Sequence, residues 1–220
     1  MLKKIISQLT GDSDRAMFDP SIFQDPLALK TSWEPLARGG SNFKSAGLQK
    51  VNEQRMEFRA SVMAKLMALV FVVMGLALAA VFISKQPDKF AHFKFKLADV
   101  MPVAMGLLFS AIGVGMFYSA LIPAVFDIGH GYFCKSRQKP ERMIDPSKLK
   151  RYAELKRVHA LQIISEYIKT KKSSYYSYEL NLVLDDGSRL NVVDHGNQSA
   201  LQADARTLAE FLKKPLWDAS

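Results

Sequence analysis

Two uncharged apolar runs dominate the hydropathy pattern of the chain. The first, residues 66–84, reads LMALVFVVMGLALAAVFIS, and the second, residues 100–126, reads VMPVAMGLLFSAIGVGMFYSALIPAVF. About 20 apolar residues in helical form cross a hydrocarbon core about 30 Å thick. The pattern therefore predicts a transmembrane hairpin over residues 61–126, with spans at 66–84 and 100–126 and a connector at 85–99. Lys65 and Lys85 mark the ends of the first span, because a lysine at the bilayer centre costs about 2.5–3.5 kcal/mol on an insertion scale. In the second span Ala111, Gly115 and Ser119 recur every four residues, and Gly75 and Ala79 share that spacing in the first. Small residues on one helix face permit close approach of another helix. These five positions are the predicted helix-packing residues, either within the hairpin or between copies in a homo-oligomer.

Outside the spans the periodicity changes. Residues 1–9 place Leu2, Ile5, Ile6 and Leu9 at the spacing of a short amphipathic helix. Asp19-Pro20, Asp25-Pro26 and Glu34-Pro35 break the stretch that follows. Trp33 fits either a membrane-interface anchor or a contact with the C-terminal domain. Residues 43–60 read as a β-hairpin, since Met56 and Phe58 alternate with Arg55, Glu57 and Arg59. From Ala124, AVFDIGHGYFCK reads as strand, turn and strand. Residues 154–168 are rich in β-branched and aromatic residues and favour a strand. Tyr178, Leu180, Leu182 and Leu184 alternate with polar neighbours up to Asp185-Asp186-Gly187-Ser188, a strong hairpin signal. Residues 199–214 form an amphipathic helix with Leu201, Ala205, Leu208 and Leu212 on one stripe, a Ser199/Gln202 capping box and a stop at Pro215. Leu216 and Trp217 pin the tail to the domain.

The predicted fold is thus membrane α+β: an N-terminal segment (1–60), a two-helix transmembrane hairpin (61–126), and a C-terminal antiparallel sheet capped by one helix (127–220). The 220 residues carry a formal charge of +9. On a soluble protein this would suggest nucleic acid. Here Lys44, Lys50, Arg55, Arg59 and Lys65 precede the first span, and Lys135, Arg137, Lys139, Arg142, Lys148, Lys150 and Arg151 follow the second, against Lys85, Lys89, Lys94 and Lys96 in the connector. The positive-inside rule accounts for this distribution without a nucleic-acid partner and predicts both termini in the cytoplasm. The lipid bilayer is the first partner implied.

The chemistry available is sparse. One cysteine, Cys134, excludes an intrachain disulfide and a cysteine-based metal site in one chain. His92, His130, His159 and His195 match no metal-ligand spacing, so no metal or cofactor is expected. Asp194-His195-Gly196 pairs an acid with a base, but as a strand-to-helix turn it needs no catalytic role. Asp185 and Asp186 are explained by the hairpin turn. The spans contain no interior ionisable group, which argues against transport by a single chain. The best binding surface is the basic, tyrosine-rich loop carrying Lys169, Lys171, Lys172, Tyr175 and Tyr176, suited to anionic lipid or an acidic partner.

The residues VFDIGHGYF after a span, YELNLVLDDGSRLNVVDH, and the terminal ALQADARTLAEFLKKPLW together resemble the pleckstrin-homology-like domains of bacterial membrane proteins. The chain also looks like uncharacterised two-span proteins of Gram-negative bacteria. The resemblance implies a bent antiparallel sheet closed by a helix, a bacterial inner-membrane location and a scaffold role, not a reaction. The expected function is a non-enzymatic adaptor, accessory subunit or scaffold acting on another membrane or cytoplasmic protein; an immunity protein that binds a membrane-active toxin falls in the same class. The alternative is a small transporter or channel subunit that oligomerises through the second span.

Overall fold

The computed structural model describes residues 18–220 apart from 93, 95, 139, 171 and 172. The helix predicted at residues 1–9 lies outside this range. The fold is α+β, with two long apolar helices and two sheets. Helix α1 is Val62–Ser84 and α2 is Leu97–Ala120; both are long and apolar enough to cross a membrane. α1 starts before the uncharged run because the Ser61 hydroxyl caps it, accepting the Ala64 N–H at 3.1 Å. α2 ends at Ala120 rather than 126, a correction with a local cause. Pro123 has no N–H to continue the helix, and Ala124–Asp127 enters a sheet instead.

The first sheet has the antiparallel order β1 (Ala46–Asn52), β2 (Arg55–Ala60), β3 (Ala124–Asp127), β4 (Tyr132–Lys135) and β5 (Tyr152–Glu154). Strands β2 and β3 are neighbours, with Phe58 opposite Ala124 and Met56 opposite Phe126. The apolar hairpin is therefore inserted between two adjacent strands, and segments from both sides of it share one sheet. The second sheet has the order β8 (Arg189–His195), β7 (Ser174–Leu184), β6 (Val158–Lys169), β9 (Leu216–Ala219). It is mixed rather than purely antiparallel, because β9 runs parallel to β6. Trp217 of β9 is buried, as the sequence pattern required of the tail.

The core lies between the sheets. Phe126, Phe133, Leu161, Ile163, Leu180 and Leu182 are wholly buried there. Helix α3 (Gln198–Leu212) closes it through Leu201, Ala205 and Leu208. Its N-cap is Asn197, not Ser199: the Asn197 side chain accepts the Ala200 N–H at 3.0 Å, and Ser199 donates to that same side chain. Either residue type can cap a helix.

Residues 18–43 run as a strap over the outer face of the second sheet. Trp33 donates its indole N–H to the Ala28 carbonyl at 2.9 Å and packs 6.0 Å from the Trp217 ring, so it is a domain contact. The buried Glu179 carboxylate receives the Leu36 and Ala37 N–H groups at 3.0 and 2.8 Å. The Gln162 side chain donates to the Ser32 carbonyl, and His159 meets Asp25 at 2.7 Å. The strap thus satisfies a polar row that the outer face would otherwise leave bare.

The two apolar helices meet through Ala68, Val72, Gly75 and Ala79 of α1 and Gly106, Ser110 and Gly113 of α2. A Cβ on Gly75 would stand 2.4 Å from the Gly106 carbonyl oxygen, and one on Gly113 would stand 2.7 Å from the Val72 nitrogen. Backbones at this separation exclude any larger side chain. The Ser110 hydroxyl donates across the contact to the Val72 carbonyl at 3.1 Å. Of the five positions predicted for packing, Gly75 and Ala79 lie in this contact. Ala111, Gly115 and Ser119 face outward, and a Cβ on Gly115 would meet nothing within 4 Å. The hairpin uses a neighbouring small-residue face of α2.

Two predictions follow from these contacts. Gly113→Leu overpacks the helix contact and should cost about 1–3 kcal/mol, read as a lowered melting temperature in detergent, whereas Gly115→Ala should leave it unchanged. Glu179→Gln removes a charged acceptor worth about 1.5–3 kcal/mol and should speed hydrogen exchange at Leu36 and Ala37 without exposing Leu161.

Candidate functional site

Strand alternation sets an unusual lysine into the inner face of the first sheet. Successive side chains on a strand point to opposite faces. In β4, Phe133 points into the core, and so Lys135, two residues on, takes the same face at the strand's end. Its Nζ donates to the Val192 carbonyl of β8 at 2.8 Å and bridges the two sheets. Burial pushes its pKa down to about 8, the nearby Arg151 adds to that, and Asp194 opposes it.

Lys135 lines a cavity of about 370 Å³ where the end of α2 meets the two-sheet domain. Gly40, Ser45, Phe58, Ser119 and Asp194 contribute to its wall. Phe58 is brought there by β2 and Ser119 by the last turn of α2. Asp194 comes from β8, directly opposite Glu179 in the β7–β8 ladder. Burial pushes its carboxyl up to about 6, helped by the Glu179 charge, while the Asn191 amide at 3.1 Å, Lys135 and Arg151 pull the other way. The Ser41 and Ser45 hydroxyls both donate to the Asp194 carbonyl and fix the backbone of β8 at the rim. The cavity therefore carries one cation and one anion, each displaced by burial toward its neutral form.

The basic, tyrosine-rich loop is the tip of the β6–β7 hairpin. Tyr167 pairs across the strands with Tyr176, their ring centroids 5.1 Å apart, and both rings are exposed. Lys169 is exposed at the tip, and Lys171 and Lys172 lie outside the described residues. Tyr175 is half-buried, and its hydroxyl donates to the Gly40 carbonyl at 3.1 Å. Because Gly40 also lines the cavity, the tip is tied to the cavity rim. Sequence reasoning singled out the tip and missed the cavity. The available signal was parity: in YFCK, a lysine shares the face of Phe133.

Asp194 and His195 do not form an acid–base pair. Adjacent strand residues face opposite ways, and His195 is wholly buried on the inner side. Its Nδ1 accepts the Asn197 N–H at 3.1 Å, and burial, with Lys44, keeps its pKa low. Asp127, His130 and Glu141 bring ligand atoms within 4.8 Å of one another. Their acceptors are already engaged: Asp127 takes the His130 N–H at 2.9 Å, with the Arg55 guanidinium 3.6 Å away, and Glu141 takes the Tyr132 hydroxyl. No protein-family model matches the chain, and no curated protein matches it.

The raised Asp194 pKa gives a signed prediction. The folded state holds this proton more tightly than the unfolded chain, so folding stability falls as pH rises from about 4, near the ordinary value of 3.8, to about 6, and this contribution is flat above that. Thermal melts in detergent at pH 4.5 and 7 should show that loss, and Asp194→Asn should flatten it.

Proposed function

We propose that this chain is a membrane-anchored adaptor or scaffold that works by binding rather than by covalent chemistry. In this reading α1 and α2 cross the inner membrane of a bacterium, and both termini and the two-sheet domain lie on the cytoplasmic side. The 23 residues of α1 make a helix about 35 Å long, enough for the hydrocarbon core. The outward faces of both helices are apolar and exposed along their length, from Leu66 and Met74 to Leu107 and Val114. Helices apolar all round need an apolar surrounding, and the domain covers only the ends of these. The basic flanks support the cytoplasmic placement.

A pleckstrin-homology-like description of the domain is supported by element order. Five strands (β1–β5) and four strands (β6–β9) form two sheets around one core, with α3 following β8 and the short β9 added after it. The observation that carries the functional reading is the insertion of the hairpin between β2 and β3. It makes membrane anchor and sheet one continuous piece, which suits a platform held at a fixed height above the bilayer. The exposed Tyr167–Tyr176 pair with Lys169 is the surface offered to a partner protein or to anionic lipid. A transport role would need more than one chain, since glycine contacts close the space between α1 and α2. The outward stripe of Ala111, Gly115 and Ser119 is where such an assembly would form.

The test is a crosslinked, gentle-detergent pull-down read by mass spectrometry, alongside ion flux in liposomes holding the purified protein. A discrete partner, lost on Tyr176→Ala, and no flux are expected. Recovery of the bait alone as a monomer contradicts the adaptor reading, and a flux-competent oligomer replaces it with transport.

A further inference from the structure

The cavity at Lys135 and Asp194 invites a narrower question: which ligand fits a pocket of both charges at this place. It sits where Ser119 and Ala120, the last two residues of α2, meet the domain. If α2 crosses the bilayer as proposed above, the mouth of the cavity opens at the level of the lipid head groups. Its volume of about 370 Å³ lies within the ordinary range of small-ligand sites, about 300–1,000 Å³.

The charges then select among head groups. Lys135 spends one donor on the Val192 carbonyl, and among the described residues no second acceptor takes its others. Among the described residues, the Asp194 carboxylate receives the Asn191 amide at 3.1 Å. A ligand that is purely anionic would meet Lys135 but also the Asp194 carboxylate, with Glu179 across the ladder behind it. A purely cationic one would meet Lys135 with Arg151 nearby. A zwitterion that carries phosphate and ammonium a short chain apart satisfies both ends. A primary ammonium can also donate hydrogen bonds to the carboxylate, which a quaternary one cannot. Phe58, Ile122 and Ala124 give the wall an apolar part that suits the glycerol side of a lipid.

We propose that this cavity binds the head group of an aminophospholipid, its phosphate at Lys135 and its primary ammonium at Asp194. The site rests on the membrane placement of the hairpin but not on any protein partner. Lys135 and Asp194 are both half-buried in the cavity wall, and the bound zwitterion offers each a partner of opposite charge. The Ser119 hydroxyl, which donates to the Gly115 carbonyl at 2.9 Å, stands at the mouth where the head group enters.

The test uses the purified full-length protein in detergent, titrated in turn with phosphatidylethanolamine, phosphatidylcholine and phosphatidylglycerol and read by native mass spectrometry. One phosphatidylethanolamine should be retained about tenfold more tightly than either other lipid, the size of one charge-assisted hydrogen bond. Lys135→Met and Asp194→Asn should each remove that preference. Ser119→Phe should do the same by blocking the mouth, with both charges intact, and Lys169→Ala should not. Equal retention of the three lipids by the wild-type protein, or a preference that survives all three cavity variants, overturns the proposal. Displacement of the lipid by free phosphoethanolamine at equal concentration overturns the lipid as the source of the zwitterion. Failure of the protein to float with liposomes refutes the membrane placement itself, a result separate from head-group selection.

Discussion

Phe58 and Ala124 face each other across the ladder of β2 and β3, although residues 59–123 separate them in sequence. The rest of the architecture depends on that pairing. Neighbouring strands lie about 4.8 Å apart, while packed helices lie about 8–10 Å apart. The two helices that leave these strands must therefore run close together from the start. Gly75, Gly106 and Gly113 make this possible by bringing backbone against backbone, and the Ser110 hydroxyl secures the contact. At the end nearest the sheet, Arg137 lies over the Tyr118 ring, 3.2 Å from its centroid, and donates to the Tyr118 carbonyl, joining the end of α2 to the chain just beyond β4. Closure of a long loop ordinarily carries an entropic cost. A stiff helical hairpin lowers it by returning the chain to where it left the sheet.

The same junction explains why polar groups collect there. At the base of the hairpin, the end of α2, strands β2–β4 and the edge of β8 line one cavity. Lys135 reaches across this cavity to β8, and Ser41 of the strap and Ser45 just before β1 stand at its rim. A charged side chain at an inward strand position is costly unless it is paired and hydrogen-bonded. Lys135, half-buried, has the Val192 carbonyl as hydrogen-bond acceptor and the Asp194 charge in its surroundings. On the outer face of the second sheet the strap brings the Leu36 and Ala37 N–H groups to Glu179, the Ser32 carbonyl to Gln162 and the Trp33 ring against Trp217.

Much of the fold was legible in the sequence because its signals are local. The two apolar runs, the alternation in residues 55–59 and 178–184, the Asp186-Gly187 turn and the stripe of α3 each follow from periodicity within one segment. What escaped were relations between segments. No local pattern says that residues 46–60 pair with 124–135, since both read simply as hairpins. The choice between Ala111-Gly115-Ser119 and Gly106-Ser110-Gly113 as the hairpin face depends on the rotation of α2 about its axis, which the strands at its end fix. Lys135 read as one of several flanking cations; parity with Phe133 puts it on the inner face, but its contact with the Val192 carbonyl of β8 has no local signal. Asp194 read as a turn residue beside a histidine, and only the β7–β8 ladder places it against Glu179.

Site-directed labelling across the membrane tests the central proposal, that an apolar hairpin passes through the bilayer while the interrupted sheet stays on one side. Cys134, the chain's single cysteine, is buried, with its thiol pushed up to about 11 by that burial, and contributes little background. Cysteine is introduced by Asp88→Cys between the helices and, in a second protein, by Glu53→Cys in the β1–β2 turn, and each is exposed to a membrane-impermeant maleimide. In intact spheroplasts only the Asp88→Cys protein should react, and in inverted membrane vesicles only the Glu53→Cys protein. Reaction of both from the same side would contradict the proposed topology.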